Sequence, residues 1–273
     1  MGQATDYVLG HSAGERERLL RQAVAYAPET RALLDRLGVR PGWRAVDVGC
    51  GPVGILDLLA ERVGPGGEVV GVDRDPGAVA AARALAAERG LTGVQVVEAD
   101  AGATGLPRAA FDLVHARLVL ITLPAAERAR ALAELVALAR PGGWVAVQDL
   151  DQVTHVCEPP HPAWDALQGA FLALQRANGQ DPHLGRRQFG LLRGAGLEDV
   201  GVAVRTEAGR AGDFVPTQLP TIARSIRERV LAQGRLSEAA FAAHLEALER
   251  HLADPGTLVV RSLMFQAWGR KPA

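Results

Sequence analysis

The run Val46-Asp-Val-Gly-Cys-Gly-Pro-Val-Gly54, together with Asp73 at the end of Val69-Val-Gly-Val-Asp73, holds the residues whose types and spacing best suit chemistry. An apolar run ending in glycines lets a strand turn sharply into a helix, so ligand atoms approach backbone that has no Cβ in the way. An acid closing the next strand is placed to accept both hydroxyls of a ribose. The pair reads as a nucleotide-cofactor site. Gly49, Gly51 and Gly54 also satisfy the GxGxxG pattern of dinucleotide enzymes, a short motif that matches many unrelated chains. Other parts of the chain must decide which cofactor is bound.

The elements that position these residues alternate as in a doubly wound sheet. Leu19, Leu20, Ala23, Val24 and Ala27 predict a helix that Pro28 ends, and Leu33, Leu34 and Leu37 a second one. Strands are expected at about 44–48, 68–72, 94–97, 111–115 and 144–148, with helices at 53–63, 76–89 and 125–139 between them. Gly64-Pro-Gly-Gly67 and Pro141-Gly-Gly143 read as turns. After Asp151 the rhythm breaks into a loop with Pro159, Pro160 and Pro162, then helices near 163–177 and 185–195. A sixth strand at 200–206, two amphipathic helices and a long seventh strand at 257–268 complete the chain.

Composition sets wider bounds. With 273 residues, 48% of them apolar and 22% charged, the chain suits one α/β domain with insertions. A net charge of −1 gives no drive toward nucleic acid or an anionic membrane. Two cysteines, Cys50 and Cys157, do not make a disulfide scaffold and favour a reducing compartment. No leader pattern and no membrane-length apolar run is evident, so a cytoplasmic protein is expected.

Four blocks in order resemble the class I S-adenosylmethionine-dependent methyltransferases: Asp47-Val-Gly-Cys-Gly51, Asp73, Glu98-Ala-Asp100, and Phe111-Asp-Leu-Val114 leading to Leu138-Ala-Arg-Pro-Gly-Gly143. Tyr7-Val-Leu-Gly10, Glu15-Arg-Glu-Arg-Leu19 and Asp181-Pro-His-Leu-Gly-Arg-Arg187 are similar to bacterial small-molecule members. The resemblance implies an α/β fold: a Rossmann-like, seven-stranded, mostly parallel sheet with a C-terminal antiparallel strand, N-terminal helices and a helical lid. It implies a helical cover over 1–40 and a methyltransferase domain over 41–273, with lid insertions near 152–195 and 213–254. The implied cofactor is S-adenosyl-L-methionine and the product S-adenosyl-L-homocysteine. Gly49, Cys50 and Gly51 would meet the methionine end, Asp47 would orient its ammonium, and the Ala116 backbone would face the same amine. Asp73 would take the ribose with Arg74 beside the adenosine, Asp100 and the Ala101 N–H would read the adenine, and Tyr7 and Gln22 would close the site.

Methyl transfer from a sulfonium is an in-line displacement, so positioning carries much of it and a base helps where the acceptor must lose a proton. His155 and Asp149 are the candidates for that base, and His115 is expected near the cofactor. His155, Cys157, Glu158 and His161 have no paired metal-ligand spacing, and no metal is expected. The turn after strand four, His115-Ala-Arg-Leu118, lacks the Asp/Asn-Pro-Pro-aromatic pattern of enzymes that methylate base amines. Trp164, Phe171, Phe189, Phe214 and Phe241 are candidates for an apolar acceptor pocket or for core. The expected partner is a small molecule, a specialised metabolite methylated on oxygen, nitrogen or carbon, with a homodimer compatible with the helical surfaces. Two other readings are a protein that holds the cofactor without transferring methyl groups and a nicotinamide-dependent oxidoreductase. Product formation separates the first, and the acid at Asp100 argues against the second.

Overall fold

The computed structural model describes residues 13–273. Five parallel strands carry the glycine loop and its acids: β1 (Arg44–Val48), β2 (Glu68–Asp73), β3 (Val94–Glu98), β4 (Phe111–Arg117) and β5 (Ala139–Asp151). The crossovers are α2 (Leu56–Val63), α3 (Pro76–Glu88) and α4 (Ala125–Leu138). The order in the sheet is β3-β2-β1-β4-β5, extended by β10 (Leu263–Arg270) and then β7 (Glu198–Arg205), both antiparallel contacts. The strand order therefore reverses direction between β1 and β4, where open α/β sheets leave a crevice beyond their carboxyl ends. Ala45 and Val46 are buried on opposite sides of β1, in the apolar layers that cover the two faces of the sheet.

Local sequence signals misplace three boundaries. The two N-terminal helices expected around Pro28 are one helix, α1 (Ala13–Leu37). Its proline removes a single hydrogen bond on a stretch where Val24 is largely exposed, so the freed carbonyl is open to water, while Tyr26, Thr30, Leu33 and Leu34 stay buried and hold the axis. The glycines of 141–143 do not end an element before β5. The chain lies in β5 from Ala139 with an irregular register against β4, and Gly143 sits where a Cβ would be 2.8 Å from the Phe111 carbonyl. The long seventh strand is broken at Arg261 and Ser262 into β9 (Leu258–Val260) and β10, because both residues turn inward and are buried.

β9 leaves the main sheet and pairs with β6 (Val156–Glu158) and β8 (Ala208–Gly209) in a small three-stranded sheet. Above it pack α5 (Pro162–Ala177), α7 (Phe214–Ala232) and α8 (Glu238–Ala253), around an apolar centre of their own that includes Trp164, Phe171, Ile226, Phe241 and Leu248. The helix between them in sequence, α6 (Leu184–Gly194), lies instead on β5, β10 and β7. It comes close because it presents Gly185: a Cβ there would sit 2.8 Å from the Asp151 nitrogen and the Leu150 carbonyl carbon, and 2.9 Å from Phe265. Two of those three neighbours are backbone and cannot step aside. Gly185→Ala is therefore expected to destabilise the protein by about 1–3 kcal/mol, the usual cost of overpacking, read as a lowered unfolding midpoint in urea. An unchanged midpoint would mean that α6 is not held against the sheet.

Candidate functional site

A cavity of about 290 Å³ opens over the carboxyl ends of β1, β2 and β4, roofed by α5 and α7 and closed on one side by α1. Its floor is the glycine loop. Gly49, Gly51 and Gly54 all have positive φ (74°, 57° and 54°), and the N–H groups of Gly49 and Cys50 donate to the Val72 carbonyl at 2.7 and 2.9 Å. At Gly51 the direction a Cβ would take is open, with nothing within 4 Å, so backbone there is accessible from the cavity. Gly49 is excluded from bearing a side chain by Val119.

Asp73 buttresses this loop: its Oδ2 accepts from the Gly51 N–H at 2.8 Å and its Oδ1 from the Asp75 N–H at 2.9 Å. Burial pushes its carboxyl above the ordinary range, and these two N–H groups pull it back. Each oxygen retains acceptor capacity beyond its one N–H. Asp100 is exposed beside it and accepts from the Gly102 N–H at 2.8 Å. Arg74, Cys50, Ala101 and Gln22 also line the cavity. Tyr7 lies outside the described residues. Ala116 does not reach the wall: it is buried in the β4 core opposite Val147, and Arg117, Leu118 and Val119 take the place expected of it. Leu118 holds an uncommon positive φ of 59° there.

Asp47 is 2% exposed, and both its oxygens are used. Oδ2 accepts from the Ile55 N–H at 3.0 Å, and the Nδ1–H of His115, its in-register neighbour on β4, donates to Oδ1 at 2.8 Å. His115 Nε2 lies 2.9 Å from the Gln148 side-chain oxygen, which also accepts from the Thr30 hydroxyl at 3.1 Å. Arg117 then donates to Thr30 at 3.1 Å and to the Gly54 carbonyl at 3.2 Å. This buried chain binds the glycine loop, the three strands β1, β4 and β5, and α1 into one unit. Burial draws the Arg117 guanidinium below the ordinary arginine range, and Asp47 opposes it. Thr30, Arg117 and Gln148 were missed in the sequence. For Arg117 and Gln148 the available signal was a polar residue in an otherwise apolar strand, whereas Thr30, on α1, carried none.

The roof differs in character. Leu150, Phe171, Leu219 and Ile222 give it apolar surface, and His155, Gln168, Gln175 and Arg261 give it polar groups. His155 packs edge-on against Trp164 with ring centroids 4.5 Å apart, and its Nε2 is buried without a hydrogen-bond partner. Burial pulls its pKa down to about 4, so the ring is neutral at neutral pH. Arg261 pairs with Glu29 and lies over the Tyr26 ring at 4.3 Å. Of the other aromatics, Trp164 and Phe241 are in the apolar centre of α5, α7 and α8, Phe189 is exposed and Phe214 opens α7. The thiols are both buried and held protonated, Cys157 up to about 11 by burial and Glu158, Cys50 further up by burial and the nearby Asp47 and Asp73. His161 caps α5 through Nδ1 and stacks on His251, and among the described residues no three of His, Cys, Asp and Glu gather as a metal site.

Residues 45–143 match a family model described as a methyltransferase domain. Nocamycin O-methyltransferase of Saccharothrix syringae is 42% identical over 118 residues, 43% of this chain and 41% of that protein. Aklanonic acid methyltransferase DauC of Streptomyces sp. strain C5 is 38% identical over 121 residues, 44% of this chain and 54% of that protein. The chain thus spans about half the length of the curated relatives it matches. Among solved structures, the YcgJ protein of Bacillus subtilis shares the fold with a TM-score of 0.57 at 15% identity, over 89% of this chain and 97% of that one. Phosphoethanolamine N-methyltransferase 2 of Haemonchus contortus, solved with S-adenosyl-L-methionine, has a TM-score of 0.55 at 19% identity, over 90% and 53%. The Rossmann-like sheet expected from the resemblance is borne out, and the methyltransferase-domain match over residues 45–143 agrees with that resemblance.

Asp149 is not on the cavity wall. It is fully buried beneath it, accepting from Gln188 Nε2 at 2.7 Å and from the Ile121 N–H at 3.3 Å, and burial lifts its pKa to about 7. The folded protein therefore holds a proton that the unfolded chain releases near the ordinary carboxyl value of 3.8. Stability contributed this way is full at acid pH and declines between about pH 4 and pH 7. Asp149→Asn is expected to fold, because the Gln188 amide, whose oxygen is unpartnered, can turn to accept from the new amide. It should flatten that decline in the melting temperature, and a variant with the wild-type pH dependence would remove Asp149 as its source.

Proposed function

We propose that this chain moves the methyl group of S-adenosylmethionine onto an oxygen, nitrogen or nucleophilic carbon of a small molecule, a specialised metabolite, and releases S-adenosylhomocysteine. The observation that carries the reading is the two-ended cavity, with a glycine loop and the carboxylates of Asp73 and Asp100 at one end and a mixed apolar and amide roof at the other. The methyltransferase-domain match over 45–143 supports the activity, and the natural-product acceptors in the relatives' names support the substrate class.

The residues present fit that cofactor. Gly51 leaves open the space a side chain would fill, with Gly49 and Cys50 completing the loop for the methionine end. Asp73 keeps acceptor capacity on both oxygens for the ribose hydroxyls, with Arg74 flanking the adenosine, and Asp100 with the Ala101 N–H is placed for the adenine. Asp47 acts on the amino-acid end through the loop it fixes, and Gln22 closes the site from α1. Bound there, the cofactor supplies an electrophilic methyl group on a sulfonium. The chain's own work is to exclude water and hold the acceptor in line. His155 faces the acceptor as a neutral imidazole. With a pKa near 4 it takes a proton outright from a comparably acidic group, and for a weaker acid it serves as a hydrogen-bonding guide.

The same reading places the protein in the cytoplasm, as a monomer or homodimer acting on a small molecule and not on nucleic acid or membrane. Two buried unpaired thiols and the balanced charge support it, and no helix among the described residues is long and apolar enough to cross a membrane.

Protein stripped of bound nucleotide should melt at a higher temperature with S-adenosylmethionine or S-adenosylhomocysteine and not with NAD. Stabilisation by NAD alone would overturn the reading. Asp73→Ala should weaken S-adenosylhomocysteine binding by roughly 10- to 100-fold, the loss expected for hydrogen bonds to a charged group. Calorimetry on the folded variant checks this, and unchanged affinity would remove Asp73 from the site.

A further inference from the structure

The roof of the cavity contains buried polar atoms that the fold leaves without partners: Nε and Nη1 of Arg261, Nε2 of His155 and Oε1 of Gln175. Native proteins pair nearly all such atoms, because an unpaired buried donor gives up its hydration for nothing. Three orphaned side chains on one wall of one cavity point to a ligand. Their charge is lopsided. Arg261 is 1% exposed and donates through Nη2 to Glu29, which lies off the cavity wall on α1, while Nη1 is 3.9 Å from a Glu207 carboxylate oxygen, beyond hydrogen-bonding range. Among the described residues every carboxylate lining the cavity (Asp47, Asp73, Asp75 and Asp100) is at the glycine-loop end. The roof has a buried cation and no lining acid.

Two further features make the cation specific in direction. Arg261 stands where the chain passes from β9 to β10, so its position is fixed by both sheets. Tyr26 lies under the guanidinium at 4.3 Å and blocks one face of it, leaving its edges for hydrogen bonds. His155 lies close enough for the Arg261 charge to disfavour its protonation, so it meets a ligand as a neutral ring that donates from Nε2 in one tautomer. Gln175 adds an amide whose oxygen is buried and unpartnered.

We propose that the acceptor is a small organic acid, held in the roof of the cavity with an anionic oxygen, a carboxylate or an equally acidic enolate, against Arg261 and His155. This assigns a substrate class to the methyltransferase reading and rests on it. An acceptor of this kind arrives already ionised, so the absence of a strong base among the roof residues is no obstacle to methylation.

The test uses the whole chain saturated with S-adenosylhomocysteine, titrated calorimetrically near pH 7.5 with benzoate, salicylate, cinnamate and succinate, each beside its primary amide. At least one acid should bind about tenfold or more tightly than its amide, the scale of a charge-assisted hydrogen bond. That preference should collapse in the double variant Glu29→Gln/Arg261→Met, which removes both members of the ion pair and strands neither. The inference is overturned by wild-type protein that binds S-adenosylhomocysteine but favours no acid over its amide, or by a preference that survives in the double variant. A double variant that has also lost S-adenosylhomocysteine would assign Arg261 to the fold and overturn it equally. Wild-type protein that fails to bind S-adenosylhomocysteine at all fails the methyltransferase reading itself, a separate outcome read before any acid is added.

Discussion

The carboxylate of Asp47 is the constraint on which the rest of this structure depends. A charge buried this deeply is tolerated only when its oxygens are satisfied, and it has one N–H from the start of α2 and one from the His115 ring. The first bond fixes where the glycine loop ends. The second locks β4 to β1 by side chains as well as by backbone, and through Gln148 and Thr30 it carries the alignment to β5 and α1. Floor and side wall of the cavity are thereby set by one connected set of hydrogen bonds. Such networks are worth most when complete, because any member left unpaired is costly in the same low-dielectric interior.

The cavity built on that frame has two ends of unlike chemistry, and the division follows from which elements supply them. The floor comes from strand ends and tight turns, so it offers backbone N–H groups and short acids at fixed positions. The roof comes from α5 and α7, from the segment between β5 and β6 and from the break between β9 and β10, so it offers long side chains: glutamines, a histidine and an arginine. Short acids on rigid backbone suit recognition of a constant ligand. Long side chains from helices suit a variable one.

The floor was legible in the sequence because its chemistry is local. Glycines at a strand end, an acid closing the next strand and Asp100 after the third can each be read within a few residues, and they fall on the cavity as expected. The sheet followed from the alternation of apolar runs and turns. What could not be read depends on distant partners. Pro28 carries a strong local breaker signal, yet buried residues on both sides keep α1 continuous. Arg261 sits in an apolar run that reads as one strand, and only Glu29 and Tyr26, near the other end of the chain, give it a reason to be buried. Asp149 stood at the right strand end for a base, but the side-chain direction and the Gln188 amide that claims it become visible only once α6 is packed. Ala116 falls one residue short of the wall, which begins at Arg117 where β4 ends.

Helices α5, α7 and α8 enclose an apolar centre separate from the layers on the main sheet, and the match to the methyltransferase domain ends at residue 143, before the first of them. That centre joins the sheet where the chain leaves β5 and where it passes from β9 to β10, and its Phe171 and Leu219 reach the cavity itself. The roof can therefore vary while the floor stays as it is, as a tool keeps its handle when the bit is exchanged. The two joints set the bounds of that freedom, since any replacement roof must still enter after β5 and return through a strand able to take the place of β10 between β5 and β7.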